Sequence, residues 1–283
     1  VLAAVTAWGI SFVATKVALA ELSAVTLVFS RFALGVALLH GMLALRGASL
    51  LPGRAHFFAL AGMGFVGVFV HQLLQVHGLQ HTTAVRTGWL IGLIPIWSAL
   101  LAALFLRERL GARRAAGLAL GFGGALLVVT RGHVSADFLA LPQTAGDFLI
   151  LASTLNWAIY SVIGRGTLRA LGATRATAGA MLLGWVLLLP LYAREAGWNQ
   201  YAGLSPAGWG ALLFLGIVCS GFSYLFWYGG LERLDATRVS AYLYIEPLVT
   251  LAAAVTVLGE PVAGTTVAGG VLVLLGVWLV QRG

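Results

Sequence analysis

The chain has 283 residues, of which 60% are hydrophobic and 9% charged, and its mean hydropathy is +0.96. Soluble domains carry about 25% charged residues, so a soluble globular protein is excluded and no polar stretch is long enough for a second domain. The net charge of +8 would point to nucleic acid in a soluble chain. Here the basic residues, all arginine except Lys16, lie mainly between apolar runs, which predicts a lipid bilayer and no nucleic acid as partner. The single cysteine, Cys219, allows no internal disulfide. No metal-ligand spacing occurs and no cofactor is expected.

At about 20 residues per crossing, the apolar runs predict ten membrane helices, over 2–20, 24–45, 55–77, 83–106, 112–130, 147–165, 175–193, 207–230, 237–258 and 262–281. The first run lacks a basic leading segment and a cleavage site, so it is read as a span and not a signal peptide. With no initiator methionine, a few residues are expected to precede Val1. A β-barrel is excluded, because its strands alternate polar and apolar residues over about 10 positions. The eighth and ninth spans meet at a short loop carrying Glu232, Arg233 and Asp235. With the first residue in the cytoplasm, inner loops and the C-terminus hold twelve arginines and outer loops two, Arg131 and Arg194. That bias predicts cytoplasmic termini.

One offset of 152 places Ala84 on Ala236, Arg86 on Arg238, Pro95 on Pro247, Glu108 on Glu260, Gly117 on Gly269 and Gly124 on Gly276. The chain therefore reads as two five-helix repeats, 1–131 and 147–283, joined by 132–146. Five crossings is an odd number, so the second repeat inserts upside down. The expected fold is an all-α membrane protein of ten helices in two inverted repeats, with a substrate site between the halves near the midplane.

Polar residues inside spans mark candidate sites. Lys16, Arg31 and Arg86 lie toward the outer ends of their spans, where snorkelling and substrate binding are both open to them. Glu246 lies half-way along the ninth span, followed by Pro247, which frees the carbonyl of Leu243; Pro95 does the same to Ile91. Matched helix breaks are a pointer to a transporter site. His71 and Gln75 share one face of the third span, with Gln72 on a neighbouring face. Asn156, Trp157 and Tyr160 lie near mid-depth in the sixth. Candidate substrate contacts are thus His71, Gln75, Trp97, Asn156, Trp157, Tyr160, Tyr242 and Glu246. Trp89, Trp198, Trp209, Trp227 and Trp278 fall at interface depth and read as belt anchors. Gly117-x-x-x-Gly121 and Gly264-x-x-x-Ala268 permit close helix contact, within one chain or across a dimer, so monomer and homodimer both stay open.

Together, Trp8-Gly9-x-x-Phe12-x-x-x-Lys16, Arg31, Pro95, Glu108, Gly146-Asp147, Trp157-x-x-Tyr160, Pro247 and Gly259-Glu260 resemble the drug/metabolite transporter superfamily, in particular its EamA-type members. Trp8 and Lys16 also match Trp157 and Arg165 at an offset of 149. Within that family the chain looks most like the YddG-type exporters of aromatic and other neutral amino acids. The resemblance implies secondary export by alternating access across a bacterial inner membrane. Glu246 departs from it, since many relatives carry an apolar residue before this proline. A sugar-phosphate or nucleotide-sugar transporter is the alternative, and would need several deep cations. An intramembrane enzyme is disfavoured, because no paired deep aspartates, no G-x-S-x-G and no Walker motif occur.

Overall fold

The computed structural model describes residues 1–49, 54–82, 87, 90–130, 144–249, 252 and 264–283. Among them the secondary structure is entirely helical. The helices are α1 (Leu2–Leu19), α2 (Ala24–Leu45), α3 (Arg54–Gln80), α4 (Ile94–Leu106), α5 (Ala112–Thr130), α6 (Ala145–Leu171), α7 (Ala173–Arg194), α8 (Pro206–Arg233), α9 (Ala236–Ala241) and α10 (Gly264–Arg282). Seven of these are long and apolar enough to cross a membrane: α1, α2, α3, α5, α6, α7 and α8. α4 and α10 are shorter apolar helices. The chain is a multi-pass membrane protein. Arg86, Trp89, Arg131, Asp137, Pro142, the later part of the ninth predicted span and Gly259-Glu260 lie outside the described residues.

Local chemistry sets the helix ends. Ser23 caps α2 by accepting from the Thr26 N–H at 3.2 Å, and Ser205 caps α8 from Gly208 at 3.0 Å, with Pro206 in the first turn. Thr144 and Asp147 form a reciprocal capping box on α6. That helix runs six residues past its predicted end at 165, because Arg165 is buried against protein and does not face water. Gly172 stops it at φ 77°, a conformation glycine adopts without strain.

α3 and α8 each contain a π-helical segment, Phe65–Val70 and Phe214–Phe222, starting 149 residues apart. A π turn takes one backbone carbonyl out of the α pattern, and inside a membrane that carbonyl needs a donor. Each segment receives one from the other half of the chain. Trp8 Nε1 in α1 donates to Cys219 O at 3.1 Å, and Asn156 Nδ2 in α6 donates to Val66 O at 2.6 Å.

α5 and α10 pack in close backbone contact. A Cβ added to Gly117 would lie 2.8 Å from Gly276 O, and one added to Gly269 would lie 2.8 Å from Gly124 O. The reverse contacts, Gly276 with Gly117 O at 2.7 Å and Gly124 with Gly269 O at 2.6 Å, complete a reciprocal set. The small-residue seam at Gly117 and Gly121 is therefore occupied within the chain, whereas Gly264 and Ala268 are exposed. Elsewhere α2 packs on α7, and α6 packs on α3 and α4. Outward side chains such as Leu104, Phe105, Phe148 and Ile163 are large, apolar and exposed, as contact with lipid requires.

Val1 packs against Gly230 and Gly283 against Arg114. Both chain ends therefore share one end of the bundle with the α8–α9 turn, here termed the terminal face.

Candidate functional site

A narrow cavity of about 70 Å³ enters the bundle between the two halves. Its wall runs from Trp8 and Trp157 at mid-depth to Thr15 and Leu79, which lie near the face opposite the termini. α3 supplies His71, Gln72 and Gln75; the α4 region supplies Ile91 and Ile94; the segment after α9 supplies Leu243 and Glu246. Arg31 and Tyr224 close the far wall.

The polar groups of this wall are held in place. His71 Nδ1 lies 3.0 Å from Ser153 O, and its ring sits 4.8 Å from that of Trp157. Gln72 donates to Tyr224 Oη at 3.0 Å, bridging α3 to α8. Arg31 donates through Nε to Ser220 Oγ at 2.9 Å. Glu246 is 6% exposed. Aromatic rings floor the cavity: Trp8 lies 5.4 Å from both Trp157 and Trp227, and 5.9 Å from Tyr224. Such contacts are each worth about 0.5–1.5 kcal/mol beyond area burial, so the floor is stiff.

Both predicted prolines adjoin helix breaks. The fourth span turns at Gly92–Leu93 and restarts with Pro95 in the first turn of α4. There its missing N–H is an orphan in any case, so the break lies just before the proline and not one turn back at Ile91. In the ninth span a 3₁₀ turn, Tyr242–Ile245, leads into Glu246-Pro247. Three residues per turn puts Leu243 and Glu246 on one side, and both line the cavity.

Of the residues expected to meet substrate, His71, Gln75, Trp157 and Glu246 come together here. Trp97, Asn156, Tyr160 and Tyr242 do not line this cavity. Asn156 is taken up by Val66 O. Tyr160 lies beneath the floor, so close to α3 that a Cβ on Gly67 would sit 2.2 Å from its ring. The 3₁₀ turn directs Tyr242 away from Leu243 and Glu246. Trp97 is half-buried, and its Nε1 has no hydrogen-bond partner among the described residues. Trp227, read as a belt anchor, is fully buried in the aromatic floor because α8 continues to Arg233; Trp198, Trp209 and Trp278 are exposed.

Sequence reasoning missed Trp8, Gln72 and Tyr224 as cavity residues. The Trp8–Trp157 repeat match was the available signal for the first. It left Arg31 open between two roles, and the structure buries Arg31 in the wall while Lys16 is exposed.

Toward the terminal face the cavity ends in its aromatic floor, and at that face lies an ion network. Arg165 of α6 pairs with Glu108, just past α4, and its Nη2 lies 2.9 Å from Leu234 O and 3.5 Å from Asp235. Glu108 also accepts from the N–H of Ala236 at 2.9 Å, the N–H of Thr237 at 3.3 Å and the Thr237 hydroxyl at 2.9 Å. This carboxylate thus sits on the positive N-terminal end of α9. Arg114 of α5 reaches Asp235 at 2.9 Å. Burial works to raise the Asp235 carboxyl, but the Arg114 hydrogen bond and the charges of Arg114, Arg165 and Arg238 outweigh it and hold it below its usual 3.8. At the opposite face the links are lighter. Glu21 accepts from Ser205 N and Oγ at 2.7 and 2.6 Å, which holds its carboxyl below the usual 4.5.

The model of the EamA-like transporter family matches residues 1–130 and 144–282. The chain belongs to that family. It is accordingly a membrane transporter and not an enzyme, and its partners are a small-molecule substrate and the bilayer. Two uncharacterized transporters of Archaeoglobus fulgidus are similar to this EamA-like chain, one 31% identical over 96% of this chain and 92% of its own length, the other 32% identical over 98% and 96%. A probable terminal-alkyne amino-acid exporter of Streptantibioticus cattleyicolor is 29% identical over 98% of this chain and 91% of its own. A crystal structure at 20% identity shares the fold, with a TM-score of 0.81 over 99% of this chain and 94% of that one.

Proposed function

We propose that this EamA-like protein is a secondary transporter that exports amino acids, aromatic and other neutral ones favoured, or similar small metabolites. It works by alternating access between two inverted five-helix halves, residues 1–131 and 147–283, in a bacterial inner membrane with both termini in the cytoplasm. His71, Gln75, Trp157 and Glu246 contact the substrate.

One observation carries this reading. The cavity lining runs from the aromatic floor toward the face opposite the termini, and at the terminal face, beyond that floor, the Glu108–Arg165–Asp235–Arg114 network ties the segments together. With the arginine-rich face in the cytoplasm, this is the state that has released substrate outward. The inversion is supported by the reciprocal glycine contacts of α5 and α10, the equivalent tryptophans Trp8 and Trp157 meeting face to edge, and the paired π segments. These are the contacts a two-fold axis between the halves demands. Aromatic walls with a few fixed polar groups suit amphipathic organic solutes. The similarity to a probable amino-acid exporter points the same way. Phosphorylated sugars fit less well, since Arg31 is the one cation among the described lining residues and Glu246 lies on the same wall.

The test is counterflow in proteoliposomes with a panel of neutral amino acids, sugar phosphates and organic cations. Saturable exchange of amino acids is expected. Exchange confined to sugar phosphates or cations would replace the reading.

A further inference from the structure

We infer that Arg31 is the carboxylate anchor of the cavity, so that the substrate class is organic solutes bearing a free carboxylate; this rests on the transport reading above and adds what the site recognises. Arg31 lies in α2, 8% exposed, and it lines the cavity. No carboxylate among the described residues lies within ion-pair distance of it, and Glu246 on the same cavity wall is not its salt-bridge partner. A cation buried in the membrane is costly unless an anion or water meets it.

Its orientation is fixed from one side only. Nε donates to Ser220, a residue of the π segment in α8, and the guanidinium carbon lies 5.6 Å from the centre of the Phe32 ring. With Nε engaged, the two Nη groups form the fork that receives a carboxylate through parallel hydrogen bonds. A lysine here would offer a point charge without that planar match. A solute with a free carboxylate therefore satisfies this wall, whereas one without it leaves the fork unmet. Arg165, by contrast, spends its charge on Glu108 and Asp235, outside the cavity.

The experiment compares probes that share a side chain: L-phenylalanine, L-phenylalaninamide, which lacks the carboxylate, and 3-phenylpropionate, which lacks the ammonium. Wild-type protein and the variants Arg31→Gln, Arg31→Lys and Ser220→Ala are reconstituted after melting curves confirm folding. Charge-assisted hydrogen bonds of this kind predict about a ten- to hundredfold preference of the wild type for phenylalanine over its amide. Arg31→Gln should abolish the preference by raising the half-saturation concentration for phenylalanine, leaving that of the amide unchanged. Arg31→Lys should restore part of it, and Ser220→Ala should weaken it without changing the amide. If Arg31→Gln folds and still prefers the carboxylate, the inference is wrong. If the wild type transports no amino acid, the transport reading fails by itself. Quenching of the Trp8 and Trp157 floor by 3-phenylpropionate then tests the anchor separately: quenching lost in Arg31→Gln supports it, and equal quenching in both proteins overturns it.

Discussion

Replacing Glu108 by glutamine should unlock the terminal face. The carboxylate accepts four hydrogen bonds, from Arg165, from the Ala236 and Thr237 amides and from the Thr237 hydroxyl. Its side chain and that of Arg165 are each 8% exposed, so solvent screens the pair weakly. Removing one member of a buried pair costs about 3–5 kcal/mol. Here the loss is smaller, because Asp235 stays 3.5 Å from Arg165 and the amide oxygen still accepts from Thr237. A net loss of about 2 kcal/mol shifts the balance between access states roughly thirtyfold. An inward-open state held at about 1% would rise to about a quarter of the molecules. Spin labels at Arg109→Cys and Arg169→Cys, on opposite sides of the network, would report this as a second, longer distance population; Cys219 is buried and stays unlabelled. A folded Glu108→Gln protein with an unchanged distance distribution and unchanged counterflow would show that the network is a structural clamp and that the moving boundary lies elsewhere.

Three further outcomes are expected. Gly276→Val should lower the melting temperature in detergent strongly, since a Cβ there meets Gly121 N at 2.4 Å, while Gly123→Val, with nothing within 4 Å, should not. Asn156→Ala should cost about 1–3 kcal/mol by leaving the Val66 carbonyl without its donor, and it should leave the carboxylate preference of transport intact. The Asp235 carboxyl is held below 3.8, so its stabilising contribution is fully present above that pH and is lost as pH falls through the lower folded value. Melting temperatures of the wild type should fall more steeply than those of Asp235→Asn over that acidic window, and parallel curves would refute the assignment.

The fold was legible where periodic apolar runs and breakers agree. The short loop after Arg233 and the start of α2 after Ser23 lie where the apolar runs end and begin. The π segments were not legible, because FVGVFV and FLGIVCSGF contain no proline and their glycines, Gly67, Gly216 and Gly221, look like the packing glycines of any span. They exist because donors from the other half, Asn156 and Trp8, reach in to meet the displaced carbonyls. This is a tertiary cause that no local window carries. The same fact explains why Asn156 reads as a substrate contact in sequence: a deep polar amide looks identical whether its partner is a solute or a backbone.

Lys16 and Arg31 show what decides between two sequence-equivalent cations. Both lie in the outer halves of neighbouring helices, and both are long enough to snorkel. Lys16 lies on an exposed side of α1, one turn from its end, and its ammonium escapes toward the interface. Arg31 lies on the side of α2 that faces α8, where Ser220 holds its Nε and the aromatic walls leave the cavity as its aqueous outlet. Depth is similar in the two cases, and helix face is not. A sequence reports depth through hydropathy, but it reports face only when the neighbours on that face are known. Arg31 therefore becomes a site residue through α8, which lies 189 positions away at Ser220, and the charge left over after that bond gives the cavity its demand for an anion.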